Sequence, residues 1–167
     1  DESCFILRTT LEGVCTWLDQ AFEEYAHITE KLKPSFINAG DGKHEHPTQE
    51  FLDEFSFLEQ LNWKEEHIHI AMVGDLYHGR TVHSKADGLR IFKEVEVDLV
   101  APSLLSMPSY YVDKMRASGF QVNIFESIDE YLAQDNIAPI WYFTRLQLER
   151  MGEAVLERAP YLRQSVT

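Results

Sequence analysis

Apolar positions along this chain come in short blocks whose period switches between that of a strand and that of a helix. Ile68–Val73 is a near-continuous apolar run, closed by the Gly74–Gly79 turn and followed by a helical pattern opening at Arg80 and Thr81. A run of that length bounded by glycine reads as a buried strand. Upstream, Cys4–Leu7 reads as a short buried strand ending at Arg8. Leu11, Val14, Cys15, Leu18, Phe22, Tyr25 and Ala26 then recur at helical spacing, with acids between them. Lys33-Pro34 breaks the pattern, Ser35–Ile37 reads as a second short strand, and Asn38–Gly42 as a glycine-rich loop. His46-Pro-Thr-Gln49 opens the next helix. Pro47 suits its first turn, and Glu50, Asp53 and Glu54 suit the positive end of its dipole. Phe51, Leu52, Phe55, Leu58 and Leu61 are its expected buried stripe.

Beyond the polar stretch Asn62–Glu66 the pattern continues in the same alternation. Val95–Ala101 reads as a strand, Pro108–Ala117 as a helix stopped by Gly119, and Phe120–Phe125 as a strand. Ser127-Ile-Asp-Glu130 is a capping-box pattern. Ile137–Phe143 reads as a last strand, and Leu148, Met151 and Val155 mark a final helix. Strands alternating with helices imply an α/β fold with parallel sheets and right-handed crossovers.

Composition narrows the partners. The 167 residues can bury a real core as one domain or two small lobes, and a hydrophobic fraction of 44% excludes disorder. A net charge of −13 argues against nucleic acid and anionic membranes, whose phosphates need a basic surface. No apolar run approaches the length of a transmembrane helix. Two cysteines, Cys4 and Cys15, make no disulfide framework. Both fall at apolar positions and read as buried free thiols in a reducing cytoplasm. The chain opens on Asp1 rather than Met and reads as cut from a longer one.

The chemistry-bearing residues recur just past the carboxyl ends of strands. Arg8 follows the first strand, His46 and Gln49 follow the second, Arg80 follows the central one, and Arg145 and Gln147 follow the last. In open α/β sheets these ends line one edge, where ligands bind, and a helix N-terminus there favours anions. Taken singly, each arginine reads equally well as a surface salt bridge. Together they make a donor-rich site without an obvious nucleophile or acid/base carboxylate pair. Such a site suits a substrate bearing phosphate and carboxylate groups, and catalysis by positioning and charge stabilisation. Gly74–Thr81 mimics a nucleotide phosphate loop, but Arg80 stands where that motif needs lysine. The histidines His44, His46, His67 and His69 lack a zinc-site spacing and read as solvated or satisfied in the core, so neither metal nor cofactor is expected.

Four runs carry a resemblance: INAGDGKHEHPTQEFLDEF (Ile37–Phe55), AMVGDLYHGRTVHS (Ala71–Ser84), AP…MP (Ala101–Pro108) and FTRLQLER (Phe143–Arg150). They resemble the aspartate carbamoyltransferases, and HPTQ together with TR-x-Q favours the aspartate over the ornithine enzymes. The resemblance implies two Rossmann-like lobes with parallel sheets flanked by helices. These are a partial carbamoyl-phosphate lobe (1–62) and an incomplete aspartate lobe (63–167). It implies carbamoyl transfer from carbamoyl phosphate to the amino group of L-aspartate, in pyrimidine synthesis. Carried over by motif, Arg8 would contact the phosphate and carbonyl oxygen, His46 would polarise that carbonyl, and Gln49 would hold the carbamoyl amide. Arg80 and Arg145 would clamp the aspartate carboxylates, with Gln147 beside the amino group. A cytoplasmic homotrimer with shared sites, and a regulatory subunit, are the implied partners.

The chain also departs from the family pattern. The Ser-Thr-Arg-Thr loop, the lysine-bearing loop and the Pro-Leu-Pro loop are absent. Thr9-Thr10 replaces His-Pro after Arg8, Glu12–Lys33 is longer than usual, and Asn136–Pro139 reads as a small insertion. Two other readings therefore stand beside the enzyme: a non-catalytic module retaining part of the pocket, and a carbamoyltransferase for another amino acid.

Overall fold

The computed structural model describes residues 4–41 and 47–147. They form two parallel sheets flanked by helices. In the first, β1 (Cys4–Thr9) pairs with β2 (Ser35–Asp41), and the helix α1 (Val14–Thr29) joins them. The register runs evenly from Cys4↔Ser35 to Leu7↔Asn38 and then slips to Thr9↔Asp41, so β2 carries one extra residue. Gly40 absorbs the bulge at φ 115°, a backbone conformation that side-chain-bearing residues rarely adopt. Asn38–Asp41, expected as a loop, are therefore strand. The Asn38 Oδ1 accepts from the Gly40 amide at 2.8 Å, a local bond that keeps the bulged backbone satisfied. The buried Asp41 accepts from the Gly13 amide at 3.0 Å, which ties the end of β2 to the start of α1.

The second sheet has the order β5-β4-β3-β6, all parallel, from β3 (His67–Val73), β4 (Glu94–Val100), β5 (Gln121–Phe125) and β6 (Ile140–Phe143). The crossovers run through α3 (Arg80–Gly88), α4 (Ser109–Ala117) and the short α5 (Ile128–Leu132). The central strand β3 is covered on both faces, as its unbroken apolar run requires. Ile68, Ile70 and Met72 pack with Val82, Ala86, Val112 and Met115 on one face. Ala71 and Val73 meet Tyr131 and Ala138 on the other. Ser127 caps α5 as expected, its hydroxyl accepting from the Glu130 amide, while the Glu130 carboxylate takes the amide of Glu126 rather than that of Ser127.

α2 (Pro47–Gln60) lies between the sheets, against β2 and α3. Here the expected stripe holds only at its carboxyl end, where the half-buried Leu58 and Leu61 pack on the core. Phe51, Leu52 and Phe55 are 67%, 60% and 50% exposed, while Glu50 and Phe57 are buried. The helix turns its acidic side inward because a lysine from α3, Lys85, is buried there. A charge with no water needs carboxylate partners more than the helix needs a full apolar stripe. The cysteines also differ from expectation. Cys4 is exposed and Cys15 only half-buried, because β1 has a single strand neighbour and α1 has no fully buried residue. The final helix expected around Leu148–Val155 lies outside the described residues.

Candidate active site

The carboxyl edge of the larger sheet is assembled by one buried carboxylate. After β3 the chain turns sharply at Gly74, whose φ is 119°. A Cβ there would sit 2.3 Å from the Thr144 carbonyl oxygen, so only glycine lets the exits of β3 and β6 approach this closely. Asp75 follows, fully buried. Its Oδ1 accepts from the His78 amide and the His78 ring Nδ1, both at 3.0 Å, closing the turn on itself. Its Oδ2 accepts from the Gln147 amide at 3.0 Å, from the segment that leaves β6. A second bond, from the Thr144 amide to the Val73 carbonyl at 2.8 Å, extends the β3–β6 pairing to the same place.

The turn is held from below as well. The Leu76 amide donates to the Leu105 carbonyl at 2.9 Å. The His83 ring donates through Nε2 to the Leu76 carbonyl at 2.9 Å and stacks on Tyr111 with centroids 4.1 Å apart. Burial lowers the pKa of His83, keeping it a neutral ring with one N–H to give.

These contacts set three of the sequence-expected residues on one edge. Arg80 is the first residue of α3, directly after the Gly74–Gly79 turn, and is half-buried. Arg145 and Gln147 follow β6, Arg145 exposed with Nη1 on the Leu146 carbonyl at 3.2 Å, and Gln147 half-buried. Asp75 connects the two segments. Gln49, in the first turn of α2, joins by a second route. Its Nε2 donates to Asp53 Oδ1 at 3.0 Å. Asp53 Oδ2 accepts from Lys85 Nζ at 2.7 Å and from the Tyr142 hydroxyl of β6 at 2.8 Å. The Thr81 hydroxyl, next to Arg80, donates to Tyr142 in turn. Arg8 is exposed in β1, on the smaller sheet. His46 lies outside the described residues.

Lys85 is fully buried and is shared with Glu50 Oε2 at 2.6 Å. Its ammonium also lies 4.8 Å from the Tyr142 ring centre and 5.6 Å from that of Phe57, so aromatic faces replace part of its lost hydration. Burial pushes the Glu50 carboxyl up to about 7, with Lys85 pulling the other way. Burial also raises the Tyr142 phenol, so it remains a donor. Sequence reasoning missed Asp75, Asp53, Lys85 and Tyr142 as parts of the site. A signal existed for Asp53, because Gln and Asp at i and i+4 on a helix are natural hydrogen-bond partners. Another existed for Asp75, an acid in a glycine turn.

His69, Glu96 and Asp98 bring potential metal-ligand atoms within 4.8 Å of one another. Their bonds are already spent in the protein. Asp98 Oδ2 takes His69 Nε2 at 2.6 Å and the Tyr131 hydroxyl at 2.7 Å, and Oδ1 takes the Asn123 amide at 2.9 Å. The cluster is a satisfied polar insert in the core, the role expected of His69.

No family model matches the chain. Relatives do. Over 166 residues it is 63% identical to Protein PyrBI of Treponema denticola, an alignment covering 99% of this chain and 31% of that protein. The aspartate carbamoyltransferase catalytic subunit of Cellvibrio japonicus is 41% identical over 157 residues, covering 90% of this chain and 46% of the relative. Over nearly its whole length the chain is thus similar to parts of longer aspartate carbamoyltransferase-type proteins. The fold agrees with that similarity. The catalytic subunit of M. jannaschii aspartate transcarbamoylase superposes with a TM-score of 0.74 at 32% identity, covering 98% of this chain and 48% of that one. Aspartate transcarbamoylase from Trypanosoma cruzi in complex with N-(phosphonacetyl)-L-aspartic acid gives 0.74 at 27% identity, covering 99% and 49%. The chain thus spans about a third of the PyrBI relative and about half of these family structures. No helix among the described residues is long and apolar enough to cross a membrane.

Proposed function

We propose that this chain supplies part of the active site of an aspartate carbamoyltransferase. The reaction joins carbamoyl phosphate and L-aspartate to give N-carbamoyl-L-aspartate and phosphate, as a step in pyrimidine synthesis. The observation that carries the reading is Asp75, which binds the Gln147 amide and closes the turn leading to Arg80, so that donors from β3 and β6 share one sheet edge. Complexes of the T. cruzi enzyme with carbamoyl phosphate and aspartate, and with the phosphonacetyl analogue, support the substrate assignment.

The chemistry needs no enzyme nucleophile, because the aspartate amine attacks the carbamoyl carbon directly. Arg80 and Arg145 clamp the aspartate carboxylates through planar guanidinium forks, and Gln147 stands beside the amine. Gln49 binds the carbamoyl NH2. Arg8 and His46 act on the phosphate and the carbonyl oxygen, where fixed donors stabilise the oxyanion as it develops. The lobes divide at about Asn62. The working form under this reading is a cytoplasmic homotrimer with sites between subunits, joined by a regulatory partner.

The test is carbamoyl-aspartate formation by the full natural protein, with Arg80→Ala beside it. Charge-assisted bonds of this kind contribute about 1.5–3 kcal/mol, so the variant should lose roughly ten- to a hundredfold in kcat/KM for aspartate. Wild-type kinetics in the variant removes Arg80 from the site. Ligand binding without turnover in the unmodified protein identifies a non-catalytic module instead, and turnover of another amino acid replaces the substrate assignment.

A further inference from the structure

The Gln49 side chain is an amide with two unlike ends, and only its oxygen end can accept from a carbamoyl NH2. Which end is held on α2 is set by Asp53. The Gln49 end that meets Asp53 Oδ1 at 3.0 Å is the NH2 end, which donates to the carboxylate. The other carboxylate oxygen takes the Lys85 ammonium at 2.7 Å and the Tyr142 hydroxyl at 2.8 Å. The Asp53 side chain is only 13% exposed and Lys85 is fully buried, so water does not compete effectively for these bonds. Asp53 is one helical turn after Gln49 on α2, whereas Lys85 comes from α3 and Tyr142 from β6.

We infer that Asp53 is a positioning residue, which orients the Gln49 amide as an acceptor for a carbamoyl NH2 and is itself pinned by Lys85 and Tyr142 to the helix that begins at Arg80 and the strand that precedes Arg145. This deepens the proposed function and rests on it. It makes the Gln49 carbonyl a specificity element. A carbamoyl group offers an NH2 to that oxygen, and an acetyl group of the same shape offers a methyl. Replacing Asp53 by asparagine lets the amide turn over, since Asn can donate as well as accept. The turned Gln49 presents NH2 to NH2.

The experiment uses the full natural protein and measures binding of carbamoyl phosphate and of acetyl phosphate by calorimetry, together with carbamoyl-aspartate formation. The wild type should prefer carbamoyl phosphate. Asp53→Asn should cut that preference about tenfold by weakening carbamoyl phosphate alone, and in a Gln49→Ala background the same change should alter it less than twofold. Equal weakening of both ligands, or an equal cost in both backgrounds, overturns the inference and leaves Asp53 a structural residue. Should Asp53→Asn fail to fold, Tyr142→Phe decides. It keeps the ring, removes one of Asp53's donors and should shift the preference two- to threefold in the same direction. An unchanged preference in that variant overturns the inference. If the wild type neither binds carbamoyl phosphate nor forms carbamoyl-aspartate, the functional reading fails, and this inference with it. Turnover with an unmoved preference defeats the inference alone.

Discussion

β1 and β3 are written alike, each a short apolar run leading toward an arginine, yet they end up in different surroundings. Ile70 in β3 is fully buried, while Ile6 in β1 is 72% exposed. The difference lies in the neighbours. β3 sits between β4 and β6 with cover on both faces, whereas β1 has β2 beside it and α1 on one face, where Phe5, Phe36 and Phe22 stack. The opposite face, with Ile6 beside Ile37, is open. Apolar periodicity thus tells which way a side chain points, and the number of layers decides how much water it loses.

The two regions also each hold a lysine between two carboxylates, and these should separate most clearly on substitution. Lys85→Met strands Glu50 and Asp53 in the interior without their cation and should cost about 3–5 kcal/mol in urea denaturation. Lys33, bridging the exposed Asp19 and Glu23 of α1, should cost less than about 1 kcal/mol when changed to Met. Equal costs would erase the distinction between the regions. Next in size, Ile70→Ala should destabilise by about 2–5 kcal/mol through transfer and cavity terms, against about 0.5 kcal/mol or less for Ile6→Ala. A large effect at Ile6 would mean that the open face is covered in solution.

A smaller effect is pH-dependent. Burial raises Glu50 from 4.5 to about 7. Folding therefore favours its protonated form. That stability is fully present below pH 4.5 and is lost as pH rises through 7. Glu50→Gln should flatten the decline in stability between pH 5 and 8 by about 1–3 kcal/mol, read from denaturation midpoints across that range. The full wild-type decline persisting in the variant would assign it to another group. The smallest effect expected is at the α5 cap, where Ser127→Ala should cost about 1 kcal/mol or less, because that helix is a short surface turn.

Much of this architecture was legible in one dimension, for identifiable reasons. Apolar runs punctuated by glycine and proline located β3, β4, β5 and α4. The turn after β3 marked Arg80 as a helix start, since glycine and an acid there leave the backbone few other choices. The inward face of α2 was misread because its partner is a charge. Val82, Ala86 and Leu89 are helically spaced and buried, which puts Lys85 on the same inward side. But its carboxylate partners there, Glu50 and Asp53, are distant in sequence. Arg145 and Gln147 were readable as residues beyond a strand end. Their link to Arg80 runs through Asp75, a tertiary contact that no spacing rule contains.

Under the proposed function, Arg80, Arg145 and Gln147 form one binding edge for a substrate with carboxylates and a transferable carbamoyl group. Calorimetric titration of the full natural protein with N-(phosphonacetyl)-L-aspartic acid tests it most directly, with Arg80→Ala and Arg145→Ala as companions. Saturable binding by the wild type is expected, weakened about tenfold or more by either substitution. Wild-type affinity in both variants, or no binding by the unmodified protein, would contradict it.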